Sequence, residues 1–178
     1  VLGKKNGLFF SDWLKKKGYS DQLIRKYRQS GWLSSLDKGV MYRTGDKLSA
    51  IVSLACYNEQ LEKEVRIAAH SALELFGFNH YVPMGKPILM VACSCSIVPK
   101  WMLKDCFDRT FKVFSTKTIE IPQTSNINIE GVNLLVSSPE QAFMECLLLA
   151  KDQYNYMDLY YIMEQLTSLR ADVVQILL

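Results

Sequence analysis

The chain has 178 residues, 49% of them hydrophobic and 22% charged, with a formal net charge of +3. These are ordinary globular values, sufficient for a sizeable core in one large or two small domains, and they exclude a disordered chain. No run approaches the roughly 18 apolar residues of a membrane-spanning helix, and residues 1–7 lack the apolar stretch of a signal peptide.

The positive charge sits at the front. Residues 1–47 hold 11 Lys/Arg against 4 Asp/Glu, whereas the remainder holds 10 against 14. That asymmetry points to a nucleic-acid-binding module joined to a domain with a different task. Val1 is no initiator methionine and the last helical stretch carries no stop signal, so native sequence is expected beyond both ends.

Residues 8–17 predict a short amphipathic helix with Phe9, Phe10, Trp13 and Leu14 on its apolar side. Lys15, Lys16 and Lys17 fall in its last turn, where the helix dipole favours cations, and Gly18 ends it. Ser20 is a good N-cap for a second helix, and Gly31 a good terminator. Leu23, Ile24 and Tyr27 form its apolar stripe, and Gln22, Arg25, Lys26 and Gln29 share the other side. A hairpin follows, with strands at 32–36 and 40–43 and a turn at Asp37-Lys38-Gly39. Two helices across a tight turn, the second basic, then a basic-tipped hairpin, outline a winged helix-turn-helix.

In that arrangement the start of the second helix enters the major groove, so Tyr19, Ser20, Gln22 and Arg25 are candidates to reach base edges. Arg bridges guanine and Gln bridges adenine through paired hydrogen bonds. Lys15, Lys16, Lys17, Lys26, Arg28, Lys38 and Arg43 are candidates for phosphate, with Gln29 on the same exposed face and Lys38 as the wing contact.

The domain boundary is expected at residues 44–46, giving a DNA-binding domain over 1–46 and a second domain over 47–178. Asp46 is placed to cap a buried helix over 47–60. Beyond it the pattern predicts a short strand at 65–68, a helix at 71–76, a buried strand at 87–95, and a helix at 99–107 starting on Pro99. Strand-like stretches follow at 109–114 and 118–121, then a hairpin over 127–136 and a helix opened by Ser138-Pro139-Glu140. Helices at 157–166 and 171–178 complete an α+β second domain with a small central sheet and C-terminal helices.

Enzymatic alternatives have weak signals. Cys93 and Cys95 on one strand face could meet a metal with Cys106 or His80, but structural zinc favours two residues between paired cysteines. The five cysteines, Cys56 and Cys146 included, fit inert buried thiols in a reducing cytoplasm. His70 reads as a polar cap and His80 as a half-buried turn residue. Asp105, Asp108, Glu120 and Glu130 match no Mg²⁺ motif for a nuclease and read as a solvated rim. The tyrosines at 154, 156, 160 and 161 read as helix packing, with a protein contact as the alternative. No catalytic residue, metal or cofactor is assigned.

The stretches at 19–33, 38–43 and 69–81, with Ser137-Ser-Pro-Glu-Gln-Ala142 and Ser168-Leu-Arg170, together resemble the AbiEi family, antitoxins and transcriptional regulators of bacterial type IV toxin–antitoxin systems. The chain departs from the family pattern at Arg66-Ile-Ala-Ala69, where the family has a glycine-rich strand. The resemblance implies a winged helix that binds inverted repeats in the promoter of its own operon, with Tyr19, Ser20, Gln22, Arg25, Lys26, Arg28 and Lys38 facing DNA. It further implies a second domain that counters a nucleotidyltransferase-type toxin without requiring a stable complex. The competing readings are a metal-dependent DNA-processing enzyme and a module that binds the toxin directly.

Overall fold

A computed structural model describes residues 4–78, 85–93, 97–115, 122–150 and 154–177. The chain forms two compact units. The first comprises Val1–Glu64, Ile97–Phe111 and Asn128–Asn133, and the second Val65–Ser96, Lys112–Ile127 and Leu134–Leu178. The first helix beyond the expected boundary at residue 46 therefore lies in the first unit.

The first unit opens with β1 (Phe9–Phe10), α1 (Ser11–Lys16), α2 (Asp21–Gln29), β2 (Leu33–Asp37) and β3 (Val40–Arg43). The strands form an antiparallel sheet in the order β1-β3-β2, with Phe9 opposite Met41 and Leu33 opposite Arg43. Two helices followed by a hairpin that closes on a short first strand make a winged helix-turn-helix. Phe9 and Phe10 belong to that strand, correcting the helix expected from residue 8. Their backbones complete the sheet while both rings are buried, a pairing that depends on residues some 30 positions away and leaves no local period.

Helix α3 (Ala50–Leu61) starts at Ser49, whose hydroxyl accepts from Val52 N–H at 3.4 Å. Asp46 does not cap it; its carboxylate accepts instead from Asn6 N–H at 3.0 Å. Buried Gln60 joins α3 to β1: its Oε1 accepts from Phe10 N–H at 3.0 Å and its Nε2 donates to the Leu8 carbonyl at 2.8 Å. In the same unit Trp101 sits among Phe10, Tyr57, Phe107 and Phe111, with ring centroids 5.5–6.0 Å away. Trp101 lies in a single 3₁₀ turn (Lys100–Leu103) flanked by Pro99, where the sequence predicted a longer helix.

The second unit holds β4 (Arg66–Ile67), α4 (Ala69–Leu75), β5 (Ile88–Cys93) and most of β6 (Thr110–Ser115), β7 (Thr124–Ile129) and β8 (Val132–Ser137). These strands form a sheet ordered β6-β5-β4-β8-β7. The pair β4/β5 is antiparallel and β4/β8 parallel, so the two-residue β4 lies between two longer neighbours. Helices α5 (Pro139–Leu148), α6 (Tyr156–Gln165) and α7 (Ala171–Leu177) follow. The strand expected at 118–121 lies outside the described residues.

A buried polar cluster occupies the junction of β4, β8 and α5. Arg66 Nη2 donates to Glu145 Oε1 at 2.9 Å and Arg66 Nε to Ser137 Oγ at 3.0 Å. Gln141 Nε2 donates to Glu145 Oε1 at 2.8 Å, and Ala69 N–H to Glu145 Oε2 at 2.9 Å. Ala69 sits at φ +49°, in the left-handed region that favours glycine. The resemblance described above implies a glycine-rich strand in this stretch.

A second ion pair brings together two of the segments that carry the family resemblance. Arg170 donates Nε to Glu140 Oε1 at 3.0 Å and Nη2 to Glu140 Oε2 at 3.2 Å, and its backbone N–H reaches Oε1 at 3.1 Å. Burial opposes ionisation of Glu140, but the Arg170 bonds outweigh it and hold the carboxyl at about 2, down from 4.5.

Two outcomes are expected. Gln60→Ala strands the Phe10 N–H and the Leu8 carbonyl in the core and lowers stability by about 2–4 kcal/mol, measured by chemical denaturation. Because the folded pKa of Glu140 is depressed, its contribution is complete above about 4.5 and disappears as pH falls toward 2. Denaturation midpoints collected across that window lose part of their acid dependence in Glu140→Gln.

Candidate nucleic-acid interface

Helix α2 owes its position to a small apolar cluster. Ile24, its one buried residue, packs with Phe9, Leu14, Leu33 and Met41, and Trp13, Tyr19 and Tyr27 close the margin. With the Ile24 side thus fixed, Gln22, Arg25, Lys26, Arg28 and Gln29 stand exposed. Ser20 caps the helix, its hydroxyl accepting from Leu23 N–H at 3.2 Å. Asp21 in the first turn and Lys26 and Arg28 in the last complement the helix dipole.

The hairpin is fastened beside α1. Ser11 N–H donates to the Gly39 carbonyl at 2.9 Å, and Gly39 holds φ +75°. A Cβ at Gly39 would lie 2.8 Å from Ser11 Oγ, so the close approach of hairpin to helix requires glycine. The Asp37 carboxylate accepts from Lys38 N–H at 2.8 Å, tightening the turn while the Lys38 residue remains exposed.

Between α2 and the hairpin lies an open groove of about 480 Å³, lined by Asp21, Gln22, Arg25, Arg28, Ser35 and Gly39 with Ser11, Ile24 and Met41 at its base. The structure thus brings Gln22, Arg25 and Arg28 together on one wall. Lys26 and Gln29 are exposed but do not line the groove. Among the described residues Arg25, Lys26, Arg28 and Lys38 carry no ion pair.

The lysines of α1 are differently placed. Lys15 Nζ lies 3.0 Å from Asp21, Lys16 Nζ 3.4 Å from Glu62, and Lys17 Nζ 5.9 Å from the centre of the Trp13 ring. These are exposed contacts, weak and screened by salt, and a polyanion can displace them. Tyr19 is half-buried against the Ile24 cluster, and Arg43 is exposed at the end of β3. Asp21, Ser11 and Ser35 are groove residues that the sequence reading did not single out. The first-turn position of Asp21, four residues before Arg25, was the available signal.

The residues weighed for catalysis hold other positions. Asp108 Oδ1 accepts from Ala50 N–H at 2.7 Å and Glu130 Oε2 from the Ser49 hydroxyl at 3.0 Å, so both serve the start of α3. Both residues are nevertheless exposed, as the solvated-rim reading expected. His70 lies inside α4 with Nδ1 2.6 Å from the Tyr154 hydroxyl, not at a cap. Burial, with Lys112 adding to it, lowers His70 to about 4, so the imidazole is neutral near neutrality. Burial pushes the Cys146 thiol up to about 12, the behaviour of an inert cysteine. Cys93 is disulfide-bonded, which corrects the expectation of a free thiol there. Cys95, His80 and Glu120 lie outside the described residues. Tyr156, Tyr160 and Tyr161 are exposed rather than packed between helices. No group of three or more metal-ligating side chains forms among the described residues, and none of their helices is long and apolar enough to cross a membrane.

Two family models match the chain and divide it near residue 85, a different place from the limits of the two structural units. Residues 4–84 match a family model described as a transcriptional regulator, AbiEi antitoxin N-terminal domain. Residues 86–178 match one described as a transcriptional regulator, AbiEi antitoxin, type IV toxin–antitoxin system. Among solved structures the chain is similar to the RV2827C protein from Mycobacterium tuberculosis, with a TM-score of 0.50 and 14% identity over 78% of this chain. The match spans 54% of that protein's length, and at this identity it shows a shared fold. No curated protein sequence matches.

Ser20→Ala removes the cap of α2. The expected loss is about 1 kcal/mol of stability, read from the denaturation midpoint.

Proposed function

The chain belongs to the AbiEi family of antitoxin transcriptional regulators of type IV toxin–antitoxin systems, and from that premise we propose that it is a DNA-binding repressor of its own operon. The observation that carries this reading is the groove between α2 and the hairpin, walled by Gln22, Arg25 and Arg28 and flanked by the exposed, unpaired cations Lys26 and Lys38. Gln and Arg at the start of a helix of this kind supply bidentate donors and acceptors for base edges, and the surrounding cations supply phosphate affinity.

Residues 1–46 act as the DNA-binding element and read inverted repeats in the promoter. Lys15, Lys16 and Lys17 exchange their present partners for phosphate, and Arg43 adds to the same electrostatic field. The region from residue 47 onward counters a nucleotidyltransferase-type toxin in the bacterial cytoplasm, with no stable antitoxin–toxin complex required. The families matched are regulatory rather than enzymatic, and the placements of Asp108, Glu130, His70 and Cys146 support that division of labour.

The test is a titration of the full chain with the gene's own upstream duplex and with a shuffled duplex of equal length, at two salt concentrations. Selective binding that weakens with salt is expected; equal binding to both duplexes overturns sequence reading. Arg25→Ala is expected to lose about 1–3 kcal/mol on the upstream duplex and much less on the shuffled one. Lys38→Ala is expected to weaken both alike and to make the dependence on salt shallower.

A further inference from the structure

We infer that Asp21 is a specificity determinant of the groove, accepting a hydrogen bond from a base amino group, as presented by cytosine in the major groove, while repelling phosphate everywhere else. This inference rests on the DNA-binding reading above and deepens it.

Asp21 is the one carboxylate among the described residues that line the groove, where Arg25 and Arg28 are the cations. Asp21, Arg25 and Arg28 stand at i, i+4 and i+7 of one helix, so they form a single row that approaches the nucleic acid together. An aspartate four residues before an arginine ordinarily offers that arginine an ion pair. Here the carboxylate turns the other way, to Lys15 Nζ at 3.0 Å on α1. In the free protein Lys15 thereby leaves the Arg25 guanidinium unpaired, and when Lys15 turns to phosphate it releases the carboxylate at the leading end of α2 to accept from a base.

A carboxylate is costly in a surface built to meet a polyanion. Phosphate oxygens only accept hydrogen bonds, so Asp21 gains nothing from them and suffers like-charge repulsion. A base amino group does donate, and Asp is a chemical match for the cytosine N4 amino group in the major groove. The same side chain therefore penalises random sequence and is compensated on the matching one. Specificity arises from that difference rather than from added affinity. Its side chain is 77% exposed, so replacing it leaves the core intact.

The experiment compares the full-length chain with Asp21→Ala and Asp21→Asn on the upstream and shuffled duplexes at two salt concentrations, with thermal melting as the control for folding. Both variants are expected to bind the shuffled duplex several-fold more tightly at low salt. Asp21→Ala is expected to bind the upstream duplex about tenfold more weakly, so the ratio between duplexes narrows sharply. If wild type discriminates and each variant gains equally on both duplexes, or changes on neither, Asp21 is only a general repulsive charge or a helix-terminal acid, and the inference fails alone. If wild type does not discriminate, the DNA-binding reading fails and takes this inference with it.

Discussion

A nine-residue helix that buries one side chain has no stability of its own, and α2 is such a helix. Everything proposed for it depends on Ile24 being locked among Phe9, Leu14, Leu33 and Met41. Those five residues come from β1, α1, α2, β2 and β3, so each element of the winged helix contributes one. The cluster fixes the rotation of α2 about its axis, and that rotation decides which polar side chains share a row. Gln22, Arg25 and Arg28 reach the groove because Ile24 is anchored in the cluster beneath it.

The same economy governs the neighbouring strand. Two residues, Phe9 and Phe10, make β1, too short a stretch to hold its place by sheet hydrogen bonds alone. Gln60 supplies what is missing by bonding the Leu8 carbonyl and the Phe10 N–H from α3. Helix α3 thus supports the winged helix from outside it, although no residue of α3 lines the groove.

In the second unit a polar cluster does the corresponding work. Glu145 gathers Arg66, Gln141, Ser137 and the Ala69 amide around one buried carboxylate. Replacing one partner of such a pair leaves an uncompensated charge in the core, a loss far larger than the net gain from forming it. Its value here is specificity: it ties the short β4, the end of β8 and α5 to one arrangement. The Ala69 backbone, held at positive φ, turns its N–H into that carboxylate, which gives the left-handed residue a structural purpose despite its Cβ.

By itself the sequence determined the parts governed by neighbours within about one turn of helix or one hairpin. Ser20, Gly31 and Gly39 punctuate α2 and the hairpin where local geometry demands, Ser138-Pro139 starts α5, and the charge split sets the basic first 47 residues apart from the rest. The motif pattern also carried the family. What only the tertiary structure decided involves partners distant in the chain. Phe9 and Phe10 became a strand because β3 offers them a free edge, Asp108 and Glu130 became supports for α3, and Arg66 met Glu145 across 79 positions. Asp21 entered the groove for the same reason. Its spacing from Arg25 is readable locally, but its turn toward Lys15 requires α1 and α2 to be folded against each other.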